Sequence, residues 1–265
     1  MQLAFQKMQG AGNQILIVDQ RDAAGIAPSP QVVRQLQDAG PTTRFDQLMW
    51  LGPPRTRDAM ASYRVFNSDG SEVEQCGNGV RCVAVWLARR PGSPATLCFD
   101  SPAGPIEARV VAANRAAVNM GSPVFDDALR SLEVAGRELA VNVLSMGNPH
   151  CVLDVPDVQT ADVTGLGAAI ERHALFPDRC NVGFMQLLDR SSIRLRVFER
   201  GVGETLACGT GACAAVASGH RRGLLDDEVT VQLPGGQLVV SWRGGNEAIW
   251  LTGDAELICE GTIDL

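Results

Sequence analysis

Lysine is nearly absent from this sequence: Lys7 is the only one in 265 residues. A pyridoxal-phosphate racemase holds its cofactor as a Schiff base on an internal lysine, and a phosphate loop of the G-x-x-x-x-G-K-[ST] type also needs one. Lys7 has no phosphate-loop context, so neither chemistry is expected. Long apolar runs are missing as well. No stretch reaches the roughly 18 apolar residues of a membrane span. The opening MQLAFQKMQG has neither a basic segment nor an apolar one after it, so no signal peptide is expected and the chain reads as cytoplasmic. Positive charge is in deficit, with 23 Lys+Arg against 30 Asp+Glu and a net charge of −7. The arginines are scattered, which leaves no phosphate-binding face and excludes a nucleic-acid partner. There is no C-x-x-C among the eight cysteines. Cys76 and Cys82, and Cys208 and Cys213, are spaced for neither a zinc knuckle nor a redox dithiol. Without a secretion signal, all eight read as reduced thiols, most of them small buried hydrophobes, and no metal is expected.

What is present is a duplication. YRVFNSDGSEVEQCGNG runs from Tyr63 to Gly79, and LRVFERGVGETLACGTG from Leu195 to Gly211. An offset of 132 superposes Arg196 on Arg64, Phe198 on Phe66, Glu204 on Glu72, Cys208 on Cys76 and Gly211 on Gly79. The same offset carries Pro102 and Gly104 onto Pro234 and Gly236. A Gly-Asn opens each half, Gly12-Asn13 and Gly147-Asn148, at an offset of 135. The repeat predicts two halves, 1–122 and 123–252, joined near Gly121–Asp127, with the last strand (about 253–265) returning to the first half. Apolar residues at 45% are enough for a core in each.

Short β-branched or alternating segments dominate: Ile15–Val18, Tyr63–Phe66, Ile106–Val111, Ala116–Met120, Ile193–Phe198, Val229–Leu233, Leu238–Trp242 and Ala248–Leu251 are expected strands. Ser29-Pro30 offers an N-cap and first-turn proline for a helix to about Ala39, and a second helix lies between Val163 and His173. Two more follow the cysteines. Asn78–Arg90 stops at Pro91-Gly92 and Thr210–Arg222 at Gly223, each with cations in its last turn. Their Ala, Val, Cys and Gly content on most faces predicts helices enclosed by strands.

In C-G-x-G ahead of a helix, the glycines permit a sharp turn and close backbone approach to a ligand. First-turn amides there lack partners at the positive end of the helix dipole, so a carboxylate fits on Gly77, Asn78, Gly209 and Thr210. The same field favours thiolate, and cysteines at such positions titrate between about 3.5 and 7.5. A single loop of this kind is more often a tight turn around a buried thiol. Two related by a repeat point to paired proton donors and acceptors, able to work on opposite sides of one carbon. His150 follows the second Gly-Asn. Glu199-Arg200 stands at the repeat position of Asn67-Ser68, where the arginine could clamp a carboxylate and the glutamate hold an ammonium or a histidine. Asn13, Gln47, Asn67, Asn148 and Asn181 are uncharged donors and acceptors that together suit a zwitterion.

At FQKMQGAGNQILIVD, FDQL, FNSDGSEVEQCGNGVRC, GNPHCV, FPDRCNVGFMQ and ERGVGETLACGTGACAA the chain resembles the diaminopimelate epimerase family over nearly its whole length. The resemblance implies an α/β (α+β) fold of two pseudo-symmetric domains. Each would be a barrel-like, mostly antiparallel sheet around a central helix, with the active site in the cleft between them. It implies cofactor-independent interconversion of LL- and meso-diaminopimelate, with Cys76 and Cys208 as the acid/base pair. Gly77-Asn78 and Gly209-Thr210 would hold the reacting carboxylate. Asn13, Gln47, Asn67, Asn148, Asn181, Glu199 and Arg200 match substrate contacts, Arg200 for the distal carboxylate, while His150 and Glu199 match positions that tune the cysteines. A homodimer is implied too. Two positions depart from the pattern around the first Gly-Asn, Gln9 and Gln14, and Cys259 stands where a dimer-contact tyrosine is common. The alternatives are a proline or hydroxyproline racemase, whose first loop is typically C-G-H-G, and a non-enzymatic redox or metal-binding thiol protein. A phenazine-type isomerase of the same fold would lack the cysteine pair.

Overall fold

The computed structural model describes residues 2–23, 26–126, 129–134 and 136–264. The chain divides into two compact units, Met1–Asn119 with Gly253–Leu265, and Met120–Thr252. Asp127, the last residue of the expected joint, lies outside the described residues.

In the first unit β1 (Gln2–Gly10) turns into β2 (Asn13–Asp19), pairing antiparallel with Gly10 opposite Asn13. The two turn residues, Ala11 and Gly12, have φ of 53° and 78°, the left-handed pair that a two-residue hairpin demands. Helix α1 (Pro30–Asp38) crosses over to β3 (Gln47–Gly52), parallel to β2. Ser29 caps α1 by accepting the Val32 N–H, and Pro30 occupies the first turn. Val33 and Leu36 are fully buried with Leu16, Leu48, Trp50 and Phe66, at about 1.5–3 kcal/mol for each side chain. Next come β4 (Ala59–Asn67), antiparallel to β3, and the short β5 (Glu72–Val73). Helix α2 (Gly77–Ala88) then leads to β6 (Thr96–Ser101), parallel to β4, and to β7 (Gly104–Ala112) and β8 (Arg115–Asn119). Helix α2 packs against β1, β2, β3, β7 and β8.

The second unit repeats this plan. Strands β9 (Val124–Phe125) and β10 (Arg130–Val134) flank β11 (Arg137–Ser145), which pairs with β12 (Pro149–Asp154). Helix α3 (Val163–Glu171), capped by Asp162 on the Gly165 N–H, crosses to β13 (Asn181–Asp189), parallel to β12. Strands β14 (Ser192–Glu199) and β15 (Gly203–Thr205) precede helix α4 (Gly209–Arg221). Strand β16 (Glu228–Leu233), parallel to β14, then leads to β17 (Gly236–Ser241) and β18 (Trp250–Asp254). Helix α4 packs against β11, β12, β13, β14 and β17. The chain closes as β19 (Glu256–Asp264), antiparallel to β1.

Both enclosed helices start one residue earlier than the sequence suggests. Gly77 and Gly209 are the first helical residues, and Cys76 and Cys208 are themselves the N-caps, with extended backbone. Helix α2 also ends sooner, at Ala88, so no cation lies in its last turn. Arg89 is the C-cap, and Arg90 turns back over the Trp86 ring and reaches Asp19. Among the described residues no helix is long and apolar enough to cross a membrane.

Candidate active site

The glycines of the two C-G-x-G turns do a different job from the one their sequence suggests. All four are helical, and none has a positive φ. What requires glycine is space. A Cβ at Gly79 would lie 2.5 Å from Met49 Sδ and 3.3 Å from Cys76 Sγ. One at Gly211 would lie 3.0 Å from Val197 and 3.3 Å from Cys208 Sγ. Each second glycine therefore makes room for the sulfur beside it.

In the first unit Cys76 Sγ accepts the Gly79 N–H at 3.1 Å, capping α2 with its own sulfur. Its own S–H donates to Gln47 Oε1. Gln47 opens β3 directly opposite Asn67, the last residue of β4, and its Nε2 donates to Asn67 Oδ1 at 3.4 Å. Asn67 in turn donates to Ser71 Oγ. Asn13 sits at the start of β2, two residues before the position paired with Gln47, and its buried Oδ1 has no partner among the described residues. Asn78 is buried, and its side chain turns inward to accept from Arg81, which leaves its first-turn amide as its contribution to the helix start.

The second unit brings together Cys208, Glu199, Thr210, Asn148 and His150. Cys208 Sγ lies 3.2 Å from Glu199 Oε2 and 3.6 Å from Thr210 Oγ1. Asn148 Nδ2 donates to Thr210 at 3.4 Å, and Asn148 Oδ1 meets His150 Nε2 at 3.0 Å. Thr205 donates to the other Glu199 oxygen at 2.6 Å. Among the described residues, His150 is linked to the sulfur through Asn148 and Thr210. Asn181 opens β13 beside His150 on β12; it donates to Pro149 O and accepts the Arg200 N–H at 3.0 Å.

At Cys208 burial and a neighbouring carboxylate oppose the pull of the helix start toward a thiolate. The Cys208 pKa stands well above the ordinary thiol value because it is buried and because it faces the Glu199 carboxylate. Bonds from Thr210 and the Gly211 amide pull the other way and lose. Cys208 is a thiol that donates to Glu199. Burial also raises the Glu199 pKa, against the donors Thr205 and Cys208. His150 is pushed down to about 3, first by burial and then by the nearby Arg200 charge, so it is neutral.

A buried acid near the Arg200 loop escaped the sequence reading. Glu171, at the end of α3, is 2% exposed and accepts the Gly201 N–H at 2.6 Å. A signal for it exists in the sequence: Val163, Gly167 and Ile170, all buried, set the inward stripe of α3, and Glu171 continues it at i+8. No group of three or more His, Cys, Asp or Glu among the described residues is arranged to hold a metal.

A family profile described as diaminopimelate epimerase matches residues 5–125 and 142–258. The diaminopimelate epimerase of Acinetobacter baumannii (strain AYE) is 45% identical over all of this chain and 98% of its own. That of Alkalilimnicola ehrlichii is 46% identical over the full length of both. Among solved structures, a probable proline racemase from Agrobacterium radiobacter K84 superposes with a TM-score of 0.74 at 15% identity, covering 99% of this chain and 93% of that one. A PhzF-family phenazine biosynthesis protein from Bacillus anthracis gives 0.75 at 16% identity over the full length of both. At such identities the likeness is one of fold.

Proposed function

The chain belongs to the diaminopimelate epimerase family, and on that premise we propose that it interconverts LL- and meso-diaminopimelate by moving the α-proton between two cysteines. The observation that carries this reading is the repeated helix start with a cysteine as its N-cap, at Cys76 and Cys208. One sulfur removes the α-proton while the other delivers a proton to the opposite face. Cys208, which donates to Glu199, is the acid in one direction with Cys76, once deprotonated, as the base, and the roles swap in the other direction. First-turn amides at Gly77, Asn78, Gly209 and Thr210 hold the reacting carboxylate and stabilise the charge that develops there. Asn13, Gln47, Asn67, Asn148 and Asn181 bind the amino-acid groups, and Arg200 takes the distal carboxylate as a bidentate pair. His150, neutral, steadies Asn148 and through it Thr210.

Units Met1–Asn119 with Gly253–Leu265 and Met120–Thr252 are then the two halves of the enzyme. The chemistry needs both thiols reduced, which suits the cytoplasm and its place in lysine and peptidoglycan precursor synthesis. We assign the enzyme as a homodimer through the β19 edge, where Leu257 and Ile258 are 36% and 50% exposed.

In heavy water with no added cofactor, meso-diaminopimelate should gain deuterium at one α-carbon as the LL form appears, read by proton NMR. Exchange of proline under the same conditions, with none of diaminopimelate, would transfer the assignment to the proline racemases.

A further inference from the structure

The buried carboxylate of Glu171 has no part in the proton chemistry, yet its closest partner is the loop that carries Arg200. Its side chain is 3% exposed. The two arginines nearest it, Arg172 and Arg179, stand 3.7 and 3.8 Å away and are themselves 72% and 53% exposed. Charge-assisted hydrogen bonds close to about 2.7–2.9 Å, so neither arginine is its main partner. The Gly201 N–H, at 2.6 Å, is. Burying a carboxylate costs several kcal/mol where full pairing is missing, and an apolar residue would pack α3 more cheaply. The position gains something else from the charge.

Gly201 immediately follows Arg200. Arg200 is held at two further points by the turn that leads out of α3: its N–H by Asn181 Oδ1 at 3.0 Å, and its guanidinium Nη1 by Asp178 O at 3.3 Å. That turn is itself tightly set, with Arg179 at φ 59° between the two acceptors, and Gly201 at φ 73° lets the loop reverse. Three anchors thus fix one arginine, and Glu171 supplies the only one that is charged.

We propose that Glu171 is a positioning residue for substrate recognition: by anchoring the Gly201 N–H it holds Arg200 ready for the distal carboxylate. The proposal rests on the assignment of Arg200 to that carboxylate. Glu199 stays tied to Thr205 and Cys208 when that anchor is lost, so the loosening falls on the arginine and binding suffers more than turnover.

Kinetics on the full-length protein test this with Glu171→Ala, Glu171→Gln, Arg200→Ala and the Glu171→Ala/Arg200→Ala double variant. Glu171→Ala should raise KM for diaminopimelate about tenfold and leave kcat within about threefold. Glu171→Gln, which keeps an acceptor oxygen for Gly201, should recover most of the loss. The double variant should have the KM of Arg200→Ala alone, because once the arginine is gone its anchor has nothing left to hold. An unchanged KM in Glu171→Ala, or losses that multiply in the double variant, would overturn the proposal. Should Glu171→Ala fail to fold, Glu171→Asp keeps the charge and shortens the reach; a wild-type KM there overturns it equally. Hydrogen exchange over residues 199–203, read without substrate, should speed up in Glu171→Asp, and unchanged protection counts against the anchor whatever the substrate is. Wild-type protein inactive on diaminopimelate would instead remove the functional reading, which separates the two failures.

Discussion

Cys76 and Cys208 occupy the same place in the repeat and meet different chemistry. The first faces a neutral amide from β3, Gln47; the second faces a carboxylate from the end of β14, Glu199. That difference, together with burial, outweighs the helix dipole, whose effect is typically below about 1 kcal/mol and at most near 2. Nothing in C-G-x-G encodes it, because Glu199 lies nine residues upstream and only the β14–β15 turn returns it to the sulfur. The residue types were legible in the sequence, and the family resemblance marked Glu199 as a tuner of the cysteines; which sulfur it faces was not legible. His150 makes the same point. The sequence marks it by its neighbours, but its neutrality follows from complete burial. In the unfolded chain it titrates near 6.5, and in the fold near 3. The folded value is the lower one, so the unfolded chain binds the extra proton between those limits, and stability is lost as pH falls from about 6.5 toward 3. At pH 5 this penalty is about 2 kcal/mol. His150→Gln should flatten the pH dependence of the urea midpoint between pH 7 and 5; a slope equal to that of wild type would show that His150 does not carry it.

At the scale of elements, the sequence reads best where local chemistry decides. Ser29-Pro30 fixes the start of α1, and alternation marks β4, β14 and β16. It reads less well where tertiary packing decides. β3 is a continuous apolar run, buried along most of its length, which periodicity alone cannot assign. β19 was expected as the last strand, at about 253–265, from its place in the repeat and not from any alternation. Most of its residues are exposed and it shows little apolar alternation, because it lies beside β1 with Leu257 and Ile258 facing outward. A strand of nine residues with exposed aliphatics invites a second copy. Sedimentation should give twice the 28.2 kDa of one chain, and Ile258→Glu should shift it to the monomer. A wild-type monomer at micromolar concentration would refute the edge as a dimer contact. The helix starts were displaced by one residue for a related reason. Cysteine is a poor cap by propensity, and only the Gly79 N–H meeting Cys76 Sγ shows that it acts as one.

Across the whole molecule, the offset of 132 residues carries strand, cysteine turn and enclosed helix from one unit to the other, β4-β5-α2-β6 onto β14-β15-α4-β16. Duplication was legible because both copies keep the residues that shape the turn: the arginine and glutamate that pair across it, Arg64–Glu72 and Arg196–Glu204, and the glycine beside each sulfur. The parts that diverged are those assigned to an unsymmetrical ligand, with Glu199-Arg200 against Asn67-Ser68. Glu171 shows in the sequence only as a continuation of the buried stripe of α3; its partner, the Gly201 N–H on a distant loop, does not show there. The central claim is that one thiol in each unit shares a single proton transfer. It is tested most directly by measuring epimerisation and α-deuterium incorporation in heavy water for Cys76→Ala and Cys208→Ala, each alone. The account predicts that each variant loses epimerisation by about a thousandfold or more, since the opposite face then has no proton donor or acceptor; near-wild-type epimerisation in either single variant would contradict it.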